Sequence, residues 1–104
     1  MYGKIVLVVD GKAKREYLLT ANTAVIGRGR ECNVRLKDLA ASSRHAAIIS
    51  VRRDSIIEDL GSTNGTYVNG TAISKRVLSD GDVIEIGSNT MVYQSANQTP
   101  EIPD

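Results

Sequence analysis

The chain has 104 residues and a mass of 11.2 kDa, which suits one domain with a core of its own. Its 41% apolar and 24% charged residues are ordinary for a soluble globular protein, and 13 basic against 12 acidic side chains leave a formal charge of +1. That balance provides no global field for nucleic acid or an anionic membrane. Cys32 is the single cysteine and His45 the single histidine, which excludes an intrachain disulfide and a four-ligand Cys/His zinc site.

The expected elements are short strands in chain order. Lys4–Val9 is followed by an Asp10-Gly11 hairpin signal and its partner Arg15–Leu19. Thr23–Ile26 ends at Gly27, and Asn33–Leu36 makes a short fourth strand. His45–Val51 and Ser55–Glu58 flank a polar turn at Arg52, Arg53 and Asp54. Thr66–Val68 precedes Asn69-Gly70, the strongest short hairpin signal in the chain. Asp80-Gly81 precedes Val83–Ile86, where Ile84 and Ile86 alternate with Glu85 as in a half-buried strand. Thr90–Gln94 closes the set. No stretch of ten residues has a convincing helical period, and the apolar run Ile5–Val9 is far too short to cross a bilayer. Short strands with frequent turn signals predict an all-β antiparallel sandwich or barrel. With four Tyr and no Phe or Trp, its core must be filled by Val, Ile, Leu and Ala. The domain is expected over residues 1–95, with 96–104, which carry Pro100 and Pro103, as a flexible tail or linker.

Binding chemistry in such a fold belongs on loops. Three stand out: Gly27-Arg28-Gly29-Arg30, the segment Asp38–Arg44 with Ser42 and Ser43, and Gly61-Ser62-Thr63-Asn64-Gly65. They gather guanidinium groups, small hydroxyls, a side-chain amide and unhindered backbone N–H groups, the donors a phosphate dianion needs.

The ordered runs VIGRGREC, ASSRHAAI, DLGSTNGTYVNG and SDGDVIEIG, from about Val25 to Tyr93, resemble the forkhead-associated (FHA) domain. The resemblance implies an eleven-stranded antiparallel β-sandwich of two twisted sheets (FHA/SMAD-like) that binds phosphothreonine peptides on loops at one end. By resemblance, Arg28 grips the phosphate, the Ser42 hydroxyl bonds a phosphate oxygen, Thr63 lies beside it, and Asn64 bonds the peptide backbone. Ser43 stands where many relatives carry Arg and is counted with the phosphopeptide-binding set. Arg30 and Arg44 are additional candidate contacts. Gly27, His45, Gly65 and Asn69 are expected to support the site, Asn69 by steadying the same surface. An apolar residue is expected at the third peptide position after the phosphothreonine, beside Leu39-Ala40-Ala41.

The expected partner is a phosphothreonine-containing protein of Ser/Thr kinase signalling, with no nucleic acid, membrane, metal or cofactor. The absence of a disulfide fits a reducing, cytoplasmic compartment. Two rival readings compete. Ser42, His45 and Asp59 are the ingredients of an acyl-transfer triad, but no Gly-x-Ser-x-Gly elbow is present, and the expectation is a non-enzyme. A phosphate-independent interaction or scaffolding module on the same fold is the alternative. The tail adds Thr99, followed by an apolar Ile102 three residues on. If phosphorylated, Thr99 would allow the tail to dock into a loop site of its own or a neighbouring domain. Such modules are commonly attached to other domains, and the chain is read as compatible with being a fragment.

Overall fold

The computed structural model describes residues 3–96. The tail segment 97–104, with Thr99, lies outside the described residues. Eleven strands form: β1 (Gly3–Val9), β2 (Lys12–Leu18), β3 (Thr23–Gly27), β4 (Val34–Arg35), β5 (Ala46–Val51), β6 (Asp54–Asp59), β7 (Thr66–Val68), β8 (Thr71–Ile73), β9 (Lys75–Val77), β10 (Val83–Ile86) and β11 (Asn89–Ser95). None of the described residues forms a helix long and apolar enough to cross a membrane.

The strands make two sheets. One has six strands in the order β2-β1-β11-β10-β7-β8; the other has five in the order β4-β3-β5-β6-β9. Both hairpin signals act as expected. Asp10 (φ 53°) with Gly11 (φ 75°), and Asn69 (φ 51°) with Gly70 (φ 82°), supply the paired positive φ angles of two-residue hairpins.

Three details differ from the expectation. β2 starts at Lys12 rather than Arg15, because a register shift between Leu7 and Val8 lets the hairpin continue past an irregularity. β8 and β9 were not among the strands read from the residues. Finally, the sandwich is not wholly antiparallel: β4 pairs with β3 in parallel, Ile26 against Val34. The chain crosses from the end of β3 through a loop before forming β4, and that return sets the parallel direction.

The core lies between the sheets. Ile26, Ile48 and Ile57 from the five-stranded sheet meet Ile5, Ile84, Ile86 and Met91 from the six-stranded one, all fully buried. In β10, Ile84 and Ile86 point inward and Glu85 outward, the alternation read from the sequence. Tyr93 on β11 is buried and donates its hydroxyl to Ser55 Oγ on β6 at 2.8 Å, a polar tie between the layers. No buried side-chain nitrogen or oxygen among the described residues lacks a partner.

Strand direction then places the loops. β3 and β6 end, and β5 and β7 begin, at one pole of the sandwich. The β3–β4, β4–β5 and β6–β7 loops therefore gather there, beside the β10–β11 turn.

Candidate functional site

At this pole the β3–β4 and β4–β5 loops are laced together by backbone. The Arg28 N–H donates to the Ser42 carbonyl at 3.0 Å and the Gly29 N–H to the Ser43 carbonyl at 3.0 Å. Gly27 is required for that approach. A Cβ there would overlap the Ser43 carbonyl oxygen and lie 2.9 Å from that of Ser42, both backbone atoms with little room to yield. The buried Cys32 thiol donates to the same Ser43 carbonyl at 3.0 Å, and burial pushes its pKa up, favouring the neutral thiol that can donate.

His45 is the bolt between the second and third loops. It lies just before β5 rather than within it, and has no exposed surface. Its Nδ1 accepts from the Ser42 N–H at 3.0 Å, so Nε2 carries the proton and donates to the Gly65 carbonyl at 2.8 Å. Both ring nitrogens are thereby engaged by backbone. The carboxylate of Asp59 bonds neither of them. It accepts from the Gly61 and Ser62 N–H groups and from the Ser62 and Thr66 hydroxyls instead. The ingredients of an acyl-transfer triad are present, but their hydrogen bonds form no relay.

Asp59 organises the third loop. Ser62 Oγ donates to it at 2.5 Å and in turn accepts from the Gly65 N–H at 3.0 Å. Burial raises the Asp59 pKa, but the Ser62 and Thr66 hydroxyls and the Ser62 N–H outweigh it and hold the group below the ordinary carboxylate value. Asp38 does the same for the second loop. It accepts from the Ala40 N–H within the loop, from the Ser88 N–H and hydroxyl on the β10–β11 turn, and from the side-chain amide of Asn89 at the start of β11. The Ser88 and Ala40 N–H groups lead in holding its carboxyl below the usual range. Neither Asp38, Ser62 nor Thr66 was singled out from the sequence. The available signal was the Asp-x-x-Ser spacing of Asp59 and Ser62 and the Asp-x-Ala step at Asp38, both compatible with Asx turns.

The braced loops enclose an open depression of about 330 Å³. Arg28, Ser42, Ser43, Thr63 and Asn64 line it together, with Leu39–Ala41 along one side. The Arg28 Nε donates to the Ala41 carbonyl at 3.1 Å, which fixes the guanidinium at the rim. Among the described residues no carboxylate pairs with it. Ser42 Oγ accepts from the Thr63 N–H at 3.2 Å and keeps its own proton to donate. Asn64 donates its amide to the Ala40 carbonyl at 2.9 Å, tying the third loop to the second. Arg30 and Arg44 are exposed and stand outside this lining. Gly65, at φ +89°, takes a left-handed conformation that favours glycine and presents its carbonyl to His45. Asn69 sits elsewhere, at the far end of β7. Its side chain bonds Asp82 and the Val83 N–H at 2.9 Å each, so it steadies the junction with β10 rather than the loop surface.

The sequence pattern of the FHA domain matches residues 24–87, the stretch that carries the three loops around the depression. The chain belongs to the FHA domain family. It is 36% identical over 90 residues to the FHA domain-containing protein FhaA of Mycobacterium tuberculosis, covering 86% of this chain and 17% of that one. It is 38% identical over 93 residues to the oxoglutarate dehydrogenase inhibitor of Corynebacterium diphtheriae, covering 88% and 64%. This FHA chain thus spans less than two thirds of both relatives. A solved structure from a study of phosphothreonine-dependent FHA domain interactions superposes with a TM-score of 0.82 at 35% identity, over 90% of this chain and 96% of that one. The expected eleven-stranded FHA sandwich is the fold observed, with the parallel β3–β4 pair as its exception. Among the described residues no group of three or more His, Cys, Asp or Glu is placed to hold a metal ion.

Proposed function

We propose that this chain is a phosphothreonine-peptide binding module that docks phosphorylated partner proteins in Ser/Thr kinase signalling. The observation that carries the reading is the shared depression. A guanidinium without a carboxylate partner, a hydroxyl with a free proton and a fixed amide line one open cavity, and the Asp38 and Asp59 carboxylates of the neighbouring loops are taken up by other donors. Arg28 is the phosphate grip and Ser42 the hydroxyl donor, each charge-assisted bond contributing about 1.5–3 kcal/mol. Thr63 flanks the phosphate and Asn64 holds the peptide backbone. Ser43 lines the same cavity, and Arg30 and Arg44 add field from outside it. Gly27, His45 and Gly65 keep the loops in register. Leu39, 89% exposed at the cavity edge, supports an apolar preference at the third residue after the phosphothreonine. The module is taken as residues 1–95, working without catalysis in a reducing, cytoplasmic compartment.

Isothermal titration with one phosphothreonine peptide and its unphosphorylated twin tests the reading. Binding of the phosphorylated form alone, weakened at least about thirtyfold by Arg28→Ala with unfolding unchanged, is expected. Equal affinity for the twins would favour a phosphate-independent scaffolding module.

A further inference from the structure

A second groove opens on the flank of the sandwich, between the edge strands of the two sheets. β2 ends the six-stranded sheet and β4 ends the five-stranded one. Because β4 is only two residues long, it leaves the inner face of β2 partly uncovered. The opening holds about 280 Å³.

Its polar lining is mostly cationic. Lys14 and Arg15 on the β2 side face Arg35 and Lys37 on the β4 side. Four of the chain's 13 basic residues meet there, although the whole chain carries only +1. None of the residues lining the groove is acidic, and none of these cations is in an ion pair among the described residues. Between the two cationic banks runs an apolar floor of Leu7, Val9, Tyr17 and Leu36. Leu36 is buried beneath it, whereas Val9 is 42% exposed.

We propose that this flank groove is a second docking site, for an acidic, extended segment of a protein partner. Cations on both banks of an apolar floor match a chain that alternates carboxylates with aliphatic side chains. Edge strands on either side also offer unpaired backbone groups to an extended segment. The same features disfavour other anions. Tyr17, the single aromatic in the lining, already carries the Arg15 guanidinium over its ring at 5.6 Å, so it provides no free face for stacking a base. The apolar groups lie on the floor of a groove rather than protruding as a membrane insertion would need. The groove is also joined to the loop pole: Arg35 Nε donates to the Arg28 carbonyl at 3.3 Å. A partner held at the loops could therefore run on into it, but the groove's acidic selectivity stands apart from the phosphate reading.

The test is a 15N-resolved NMR titration of the chain with a short unphosphorylated peptide alternating Glu with Leu. Saturable shifts centred on the amides of Lys14, Arg15, Tyr17, Arg35 and Lys37 are expected. Affinity should fall with added salt and drop about tenfold or more in Lys14→Glu/Lys37→Glu, two exposed positions where folding is preserved. Arg28→Ala should leave this binding intact; its effect on a phosphothreonine peptide judges the other site separately. The proposal is overturned if no saturable shifts appear, if the charge-reversed variant binds equally well, or if the shifts centre on the loops and vanish with Arg28→Ala. Tighter, groove-centred binding of single-stranded nucleic acid or phosphatidylserine vesicles would also overturn the choice of occupant.

Discussion

His45 shows how one buried side chain can set the shape of a surface it never reaches. Its imidazole accepts from Ser42 and donates to Gly65, so it joins two loops through backbone groups alone. Replacing it with alanine removes a filled volume and leaves an N–H and a carbonyl without partners inside the protein. His45→Ala is expected to cost about 2–4 kcal/mol in denaturant unfolding, with Tm falling by roughly 10 °C or more. Phosphopeptide affinity should fall with it, because Ser42 and the third loop lose their common anchor. At this scale the sequence was informative about chemical type and silent about pairing. Arg28, Ser42 and Asn64 were legible as a guanidinium, a hydroxyl and an amide available to donate, and the structure brings them to one cavity. That Ser42 offers its backbone to His45 and its oxygen to Thr63 was not legible, because both contacts depend on how separate loops meet.

Among the elements, the loops are positioned less by their own sequence than by what they are tied to. The β4–β5 loop hangs from the β10–β11 turn through Asp38, fifty residues away from Ser88 along the chain. Asp38→Ala frees that loop at a partly exposed position that is not itself part of the core. Phosphopeptide affinity measured by fluorescence polarisation should fall about three- to tenfold, through the cost of ordering the loop on binding. The unfolding midpoint should move far less than in His45→Ala. The long apolar strands were legible because short Val- and Ile-rich runs stand between Gly, Asn, Asp and Ser turn residues. β8 and β9 were not. Thr71–Ile73 and Lys75–Val77 are three residues each, mostly exposed, and owe their pairing to β7 and β6. The parallel run of β4 was equally hidden, since two residues carry no directional signal.

For the whole molecule, two acid-dependent processes fall in separate windows. Asp38 and Asp59 both have folded pKa values below the ordinary carboxylate range. Their stabilisation is therefore fully present above about pH 4 and is lost as pH drops through the still lower folded values. A phosphothreonine changes charge near pH 6. Affinity should thus weaken between about pH 7 and pH 5 while the fold is untouched, and thermal stability should decline only below about pH 4. Titration calorimetry and circular dichroism over the same buffers separate the two; a single shared transition would contradict the assignment. Neither the acid dependence of Asp38 and Asp59, which follows from hydrogen bonds between separate segments, nor the flank groove was legible in the sequence. Its banks come from Lys14–Arg15 and Arg35–Lys37, which only the meeting of two sheet edges brings together.

The pairing of Gly3 with Ser95 has a practical corollary. β11 leaves the loop pole at Asn89 and reaches Ser95 about 20 Å away, so positions 3 and 95 stand shoulder to shoulder at the other pole. The Arg52-Arg53 turn lies at that same pole. Over the described residues the backbone is nearly a closed ring, with its seam remote from the depression. A bridge across that seam and a new opening at Arg52-Arg53 would give a circular permutant with every loop of the depression uncut. A fluorophore or sensor surface attached there would likewise hold the depression facing the solution.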